Sequence, residues 1–213
     1  MKKLFRISIF ATCLLILVNV TFAQKSKVDL GKLRQNTYTN DFFELKIEFP
    51  SGWLVGDNGL EAPLMAIQKT SIQTKNAKNQ AALNKAMNRV TPLLGGYKAL
   101  PGSVEENSNL RVVVENLTTT PTIKTSRDYL KAMLATFKMT KLPPNYSVSG
   151  IDFEVIDGKI VNYIEAKYLT SQRRSYVIVR KRFAVLITID AYNQAEFDSL
   201  HKVLTEIDLD YKK

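Results

Sequence analysis

The chain has almost none of the side chains that carry metal, redox and acid–base chemistry. Its 213 residues include one cysteine, Cys13, and one histidine, His201. Zinc and iron–sulfur sites are built mainly from these two residue types, and histidine is the most frequent general acid or base. The Gly-x-Ser-x-Gly nucleophile motif and the glycine-rich loops that hold phosphate groups are also missing. We therefore predict no catalytic residue, no metal site and no bound cofactor.

The residues that remain as chemical candidates fit ordinary structural roles. His201 follows Leu200 and lies four residues after Phe197, so we expect it at the edge of the apolar stripe of a helix. Asp152 and Glu154 alternate with apolar residues. Because alternate residues of a strand share a face, we expect this carboxylate pair on the solvent-facing side of a strand.

The N-terminus is typical of a secretory signal peptide. A positively charged start and an apolar run over residues 7–20 are followed by Thr21 and Ala23 at the end of the segment. The run is too short to be a transmembrane helix, and no later run reaches the ~20 apolar residues that a span requires. Further apolar residues follow Cys13, which argues against a lipid anchor there. We predict cleavage after Ala23 and a soluble, monomeric protein in the periplasm or outside the cell.

Acidic residues are missing from two long segments. Loss of the three cations in residues 1–23 lowers the formal net charge from +10 to +7. Residues 62–104 contain six cations and no acid, and residues 166–189 contain another six cations and no acid. This segregation favours an anionic partner on one side of the protein, or else serves only to keep the surface solvated. An exported protein rarely meets nucleic acid, so we expect an envelope protein or an anionic surface component instead.

The second acid-free segment predicts a basic hairpin as the partner or anion site. Its residues are Arg173, Arg174, Arg180, Lys181 and Arg182. Alternation places Arg174 on the face opposite Arg173, whereas residues 180–182 share the hairpin tip. The same charges also suit a hairpin that resists edge-to-edge aggregation. If this hairpin makes no functional contact, the lysines between Lys69 and Lys98 are the next candidates.

The spacing of apolar residues predicts one globular domain over residues 41–213, after a flexible lead-in over residues 24–40. An alternating strand at residues 43–49 ends in a Pro-Ser-Gly turn, and a partner strand begins at Trp53, whose ring we expect to pack at the core. The Asp57-Asn58-Gly59 sequence suits a turn and helix cap better than a calcium loop, because no further ligands follow at the required spacing.

The rest of the chain alternates between strands, helices and hairpins. The predicted elements are a helix capped by Asn79, strands at 93–100 and 110–117, a helix capped by Thr125 with Asp128 as its third residue, hairpins turning at 157–158 and 180–182, and a final helix with Asn193 and Glu196 as its capping box. Strands in consecutive hairpins with interspersed helices indicate an α+β fold. We predict an antiparallel sheet of about six strands flanked by helices as an α/β/α sandwich.

Three segments of this pattern resemble the PsbP-like domain superfamily. They are an aromatic strand ending in Pro-x-Gly-Trp at residues 41–53, the valine-rich strand at residues 109–117 with the helix after it, and the closing hairpin and helix from residue 175 onward. The resemblance covers about residues 41–211. It implies a docking or stabilising module rather than an enzyme, and it supplies no catalytic motif. The chain departs from the family pattern at residues 180–182, where a glycine is common.

Three functions are compatible with these observations. The first is an exported, non-enzymatic binding or accessory module that docks on another envelope component through a basic surface. The second is a binder of anionic membrane surfaces or anionic glycans. The third is a hydrolase with a carboxylate-only site, which would require two converging carboxylates in a cleft.

Overall fold

The computed structural model describes residues 28–101 and 107–212, and for residues 68–71 it describes the backbone alone. The predicted signal peptide, residues 1–23, lies outside these ranges, as do the cleavage after Ala23 and the residue Cys13. Within the described ranges, no helix is long and apolar enough to span a membrane.

The predicted flexible lead-in, residues 24–40, is part of the fold from residue 28 onward. It forms two strands, β1 (Lys32–Arg34) and β2 (Thr37–Asn40), which join β3 (Leu45–Glu48) in a three-stranded antiparallel sheet. Tyr38 is fully buried and donates its hydroxyl hydrogen to a backbone carbonyl at 2.9 Å. The prediction is wrong over residues 28–40 because one aromatic side chain anchors a segment that is otherwise mostly polar.

The strand predicted at residues 43–49 is confirmed over the shorter range of β3, Leu45–Glu48, and the predicted inward side chains, from Phe43 to Phe49, are all buried. The strand that follows, β4 (Leu54–Asp57), does not pair with it. Gly52, with a φ of 86°, turns the chain toward a second sheet, where β4 pairs with β5 (Val90–Tyr97). Trp53 remains at this junction, half-buried, with 5.9 Å between its ring centroid and that of Phe49.

The second sheet is large and antiparallel, with eight strands in the described chain. After β4 and β5 these are β6 (Asn109–Asn116), β7 (Ser147–Val148), β8 (Asp152–Ile156), β9 (Lys159–Tyr168), β10 (Ser171–Arg180) and β11 (Phe183–Ala191). Their order is β4-β5-β6-β11-β10-β9-β7, and β8 pairs with β9 beside β7. The hairpins predicted at residues 157–158 and 180–182 are therefore confirmed as β8–β9 and β10–β11.

The described residues form four helices, α1 (Asn58–Ser71), α2 (Ala77–Met87), α3 (Ser126–Met139) and α4 (Gln194–Thr205). Asp57 caps α1 as predicted, and Thr125 with Asp128 closes the predicted capping box of α3. Helix α2 begins earlier than predicted, because Asn76 is its cap and accepts the N–H of Asn79 at 2.9 Å. These side chains satisfy N–H groups that have no partner inside the helix.

The last helix has half of its predicted capping box. Asn193 accepts the N–H of Glu196 at 2.9 Å, but the Glu196 carboxylate accepts a hydrogen bond from Ser108 instead of reaching back to the cap. The predicted stripe of α4 is confirmed, since Phe197, Leu200 and Leu204 are buried.

The helices lie on both faces of the large sheet. On one face, Leu130 of α3 packs with Val177 and Leu186 in one buried cluster. On the other face, α4 and the small sheet share a larger cluster that includes Tyr38 and Leu200. The predicted α+β sandwich is confirmed, with eight strands in the main sheet where about six were expected.

Candidate functional site

The five cations predicted as the binding hairpin fall into two groups. Arg173 and Arg174 lie near the start of β10, whereas Arg180 ends that strand and Lys181 and Arg182 form the turn. Seven strand residues at ~3.3 Å each put roughly 23 Å between the groups. A small anion therefore contacts one group at most.

Arg173 already has an anionic partner within the sheet. It lies directly across from Asp190 in the β10–β11 pairing. Its Nε and Nη2 donate to the two oxygens of the Asp190 carboxylate at 2.6 and 2.8 Å. This two-point geometry is the strongest that arginine makes with a carboxylate, and Asp190 raises the pKa of Arg173.

Arg174 is held between carboxylates and aromatic rings on the opposite face. Its Nε and Nη2 donate to Glu165 at 3.1 and 2.8 Å, and its Nη1 donates to Glu154 at 3.4 Å. The guanidinium also lies 4.5 Å from the ring centroid of Tyr163 and 4.7 Å from that of Phe197. The charge of the Arg174 guanidinium is therefore compensated by carboxylates of the protein, and its planar faces contact aromatic rings of the protein.

His201 extends this cluster to helix α4. Its Nε2 lies 3.0 and 3.2 Å from the Glu154 carboxylate oxygens, and its ring stacks on Phe197 at 5.7 Å. The sequence places His201 correctly at the boundary of the apolar stripe, but its contact with Glu154 is not visible there. Glu154 thus holds both Arg174 and His201.

A shallow cleft of about 370 Å³ opens beside this cluster, lined in part by Asp152, Tyr163, Glu165 and Arg174. Burial raises the pKa of Glu165, but hydrogen bonds from Arg174, Lys167 and Gln172 outweigh it and leave that pKa below its ordinary value. A glycosidase-type acid needs a raised pKa instead. The cleft therefore gives no support to the carboxylate-only hydrolase.

Arg180 points inward rather than out from the hairpin tip. Its Nη1 donates to the Phe43 carbonyl at 2.6 Å and to the Leu209 carbonyl at 3.2 Å. It also lies 3.4 Å from the Glu44 carboxylate. The side chain thereby joins three parts of the chain, namely the small sheet, the main sheet and the C-terminal segment.

The two turn residues differ in how firmly they are held. Lys181 Nζ donates to the Phe42 carbonyl at 2.6 Å and to the Glu44 carboxylate at 3.1 Å. Arg182 is exposed and makes one long contact of 3.5 Å with the Thr118 carbonyl. Both residues have positive φ, 49° and 65°, the left-handed region where glycine is favoured. The internal contacts of Arg180 and Lys181 hold a turn that lacks the usual glycine.

Two buried carboxylates elsewhere anchor helices to the sheet. Glu61 of α1 is fully buried and accepts hydrogen bonds from Tyr97 and from Arg111 Nε, the latter at 2.8 Å. Gly95 leaves space for this carboxylate, because a Cβ there would lie 2.1 Å from it. Removal of either partner would leave a charge without compensation in the interior.

Glu115 makes the corresponding arrangement at α3. Arg89 donates to one of its oxygens at 3.0 and 2.6 Å, and the Tyr129 hydroxyl donates to the other at 2.6 Å. Burial and the Glu115 charge raise the pKa of Tyr129, so the phenol remains protonated. These contacts are structural. Among the described residues, no group of three or more His, Cys, Asp or Glu side chains is arranged to hold a metal ion.

The exposed side of α3 and its two ends carry cations that take no part in the ion pairs described above. They form what we call the α3 basic stripe, which consists of Lys124, Arg127, Lys131, Lys138 and Lys141, all exposed. Arg127, Lys131 and Lys138 lie on one side of the helix, because steps of four and seven residues return to the same side. Lys124 precedes the N-cap of α3 and Lys141 follows its C-cap. The opposite side carries Tyr129 and Leu130, which are buried against the sheet.

The α3 basic stripe has almost no compensating acid. Residues 116–150 contain one carboxylate, Asp128, and hydrogen bonds from Thr125 Oγ1 and from the Lys124 and Thr125 N–H groups hold it in the helix cap. None of the ion pairs found in the described part of the chain involves the five stripe cations. The sequence signal for this stripe is the i, i+4, i+11 spacing of Arg127, Lys131 and Lys138.

The stripe continues onto the start of α2. Backbone hydrogen bonds of 3.1 Å from Lys75 to Met139 and from Lys141 to Gln73 join the two regions. Lys75 Nζ donates to the Lys138 carbonyl at 2.8 Å. Two exposed lysines, Lys75 and Lys78, therefore extend the positive surface beyond the end of α3.

The faces of the β8–β9 hairpin differ from the prediction at Glu154 and at the apolar residues beside it. Glu154 faces α4 and pairs with Arg174 and His201, whereas Phe153 and Val155 are exposed on the other face. The alternation is correct and Asp152 is exposed as predicted, but Glu154 is turned toward the protein. Helix α3 begins beside Asn162, so the end of the hairpin remains uncovered on that face.

No family model and no curated protein sequence matches the chain. Among solved structures, the chain is similar to the solution structure of cyanobacterial PsbP (CyanoP) from Synechocystis sp. PCC 6803. The match covers 85% of this chain and 94% of that chain, with 11% sequence identity and a TM-score of 0.42.

Proposed function

We propose that the protein is an exported, non-catalytic docking module that binds an anionic component of the cell envelope through the α3 basic stripe. The observation that carries this proposal is a row of three exposed cations on one side of α3, with two more just beyond its ends, where the one carboxylate, Asp128, is held in the helix cap. Cations without internal partners remain available to an external anion.

The dimensions of the stripe suit an extended anionic surface. Helix α3 has 14 residues and is therefore about 21 Å long. Cations placed along its whole length meet several negative charges at once, and each contributes to attraction before contact. Because the side chains are exposed, the attraction is screened over roughly 8 Å at physiological ionic strength and must weaken with added salt.

This assignment moves the docking site away from the predicted hairpin. Arg173 and Arg174 neutralise internal carboxylates, and Arg180 and Lys181 hold the small sheet through backbone carbonyls. An external anion would have to displace these contacts. The stripe cations lose no internal ion pair on binding, so their full charge is available to a partner.

Export rests on the N-terminal sequence, in which a positive start and an apolar run precede Ala23. An envelope location supplies partners with acidic protein faces, anionic glycans and lipid phosphates. All three share the negative charge that the α3 basic stripe would recognise.

The test compares variants of equal charge. Lys124→Gln, Arg127→Gln and Lys131→Gln together remove three stripe cations, and Lys32→Gln, Arg34→Gln and Lys202→Gln remove three exposed cations elsewhere. The probes are poly-glutamate, dextran sulfate and phosphatidylglycerol vesicles, each at low and high salt. We expect salt-sensitive binding that the stripe variant loses and the control keeps. Equal loss in both variants, or no binding to any probe, would overturn the proposal.

A further inference from the structure

Three large apolar side chains are exposed together on the uncovered face of the β8–β9 hairpin. The exposed fractions are 55% for Phe153, 61% for Val155 and 69% for Ile160. Phe153 pairs with Asn162 and Val155 with Ile160 across the two strands. Directly paired residues point to the same face, so the three side chains form one apolar patch at the edge of the large sheet.

This apolar patch adjoins the N-terminal end of the α3 basic stripe. Asn162, the partner of Phe153, donates its side-chain N–H to Ser126 Oγ at 2.9 Å, which places the start of α3 beside the patch. Lys124 and Ile160 line the same cleft of about 300 Å³. Apolar and cationic side chains therefore meet on one face of the protein.

The acidic side chain of the hairpin turn is directed elsewhere. Asp157 accepts the N–H of Leu209 at 2.9 Å, which holds its carboxylate toward the C-terminal segment. Lys159, the first residue of β9, pairs with Asp210 at 2.5 Å. The patch itself thus presents apolar side chains, and Lys124 of the stripe shares a cleft with one of them, Ile160.

The combination of the two surfaces selects one class of partner. A bilayer with anionic lipids offers an apolar region under a layer of negative headgroups, and proteins that lie on it bury apolar side chains while cations contact the headgroups. Large exposed apolar side chains grouped on a soluble protein mark an interaction surface. Charge complementarity therefore favours an anionic bilayer over a neutral apolar surface.

We infer that the apolar patch inserts into the headgroup boundary of an anionic membrane, with the α3 basic stripe on the phosphates. This inference rests on the proposed function and names its partner. The hairpin provides the depth of insertion and the stripe provides the attraction, so each contributes separately to binding. A soluble acidic protein would engage the stripe without a change in the surroundings of Val155.

Vesicle sedimentation with phosphatidylcholine alone and with added phosphatidylglycerol tests both parts. The patch variant carries Phe153→Ser, Val155→Ser and Ile160→Ser. Its control carries Leu54→Ser, Leu100→Ser and Leu169→Ser, which are also exposed. Replacing three stripe cations by Gln should weaken binding to anionic vesicles roughly 100-fold. The patch variant should weaken it at least about tenfold, and the control should bind as the wild type. Circular dichroism spectra and urea midpoints establish that each variant folds.

A local probe reports insertion directly. The chain from Gln24 has no cysteine, so Val155→Cys and Lys202→Cys each accept a single environment-sensitive dye. We expect the dye at residue 155 to shift to shorter emission wavelengths with anionic vesicles, and the dye at residue 202 to remain unchanged. Loss of binding in the stripe variant alone, with no shift at residue 155, would overturn insertion and leave the docking function standing. Binding to poly-glutamate but not to vesicles would do the same, whereas failure with every anionic probe would remove both.

Discussion

Arg180 Nη1 donates a 2.6 Å hydrogen bond to the carbonyl of Phe43, 137 residues earlier in the chain. The same nitrogen reaches the Leu209 carbonyl at 3.2 Å. One guanidinium therefore holds the small sheet and the C-terminal segment against the end of β10. Its shortest contacts are with backbone carbonyls, and the Glu44 carboxylate lies 3.4 Å from the same nitrogen. Arg180 thus stabilises the hairpin tip against the rest of the fold.

Removal of Arg180 should destabilise the protein. Arg180→Gln is expected to lower the free energy of unfolding by about 2 kcal/mol, because hydrogen bonds from a charged donor contribute about 1.5–3 kcal/mol. Arg182→Gln should change it by less than ~0.5 kcal/mol, since an exposed residue with one long contact contributes little. Urea unfolding monitored by fluorescence of the single tryptophan, Trp53, measures both. Equal effects of the two substitutions would contradict this stabilising role of Arg180.

Glycine at the hairpin turn should stabilise the protein. Arg182 has a φ of 65°, and the left-handed conformation costs a side-chain-bearing residue about 1–2 kcal/mol. Arg182→Gly removes that strain but makes the unfolded chain more flexible, at a cost of about 0.4–1 kcal/mol. A net gain of about 0.5 kcal/mol is expected, visible as a higher urea midpoint. Arg182→Ala is the matched control, since it removes the same contacts and keeps the strain. A lower midpoint for glycine than for alanine would show that the turn is unstrained.

Local features of the chain were predictable from the sequence. The Asp57 cap, the capping box at Thr125 and the two hairpins depend on residues that are close in sequence, and all of them are found in the structure. Features that depend on partners far apart in the sequence could not be predicted from it. The pairing of β4 with β5 is decided by the turn at Gly52, and no local pattern reveals which of two sheets a strand joins.

The β8 strand shows the same limit within the candidate site. Alternation correctly groups Asp152 with Glu154 and Phe153 with Val155, because side chains of a strand alternate between faces. Which face is covered depends on where α3 begins and on the contact between Glu154 and His201, 47 residues apart. The internal contacts of the basic hairpin are equally invisible in the local sequence, since the partners of Arg180 lie 29 and 137 residues away.

Export should leave a defined N-terminus. A secretory signal peptide ending at Ala23 is removed by a peptidase, so the mature protein should begin at Gln24. N-terminal sequencing and intact mass of the protein from cell envelopes measure this. The mature chain should also migrate identically with and without reductant, because Cys13 is the one cysteine of the sequence. A mass that includes residues 1–23, or acylation of Cys13, would contradict the prediction.

Acid should weaken the contact between Glu165 and Arg174. The pKa of Glu165 lies below its ordinary value of 4.5: burial raises it, and the hydrogen bonds from Arg174, Lys167 and Gln172 lower it by more. A carboxyl whose pKa is lower in the folded state contributes stability that is fully present above the unfolded pKa and lost as pH falls through the folded one. Glu165→Gln should therefore cost about 1.5–3 kcal/mol at pH 7, the usual range for a charge-assisted hydrogen bond, and progressively less below pH ~4.5.

The matched control for this prediction is Glu206→Gln, which replaces an exposed carboxylate on the end of α4. Urea unfolding of the wild type and both variants between pH 7 and pH 3 gives the difference in unfolding free energy at each pH. Only the Glu165→Gln difference should shrink as the pH falls. A difference that stays constant with pH would mean that packing of the side chain, and not its charge, stabilises this region, and Arg174 would then depend on Glu154 for its compensating charge.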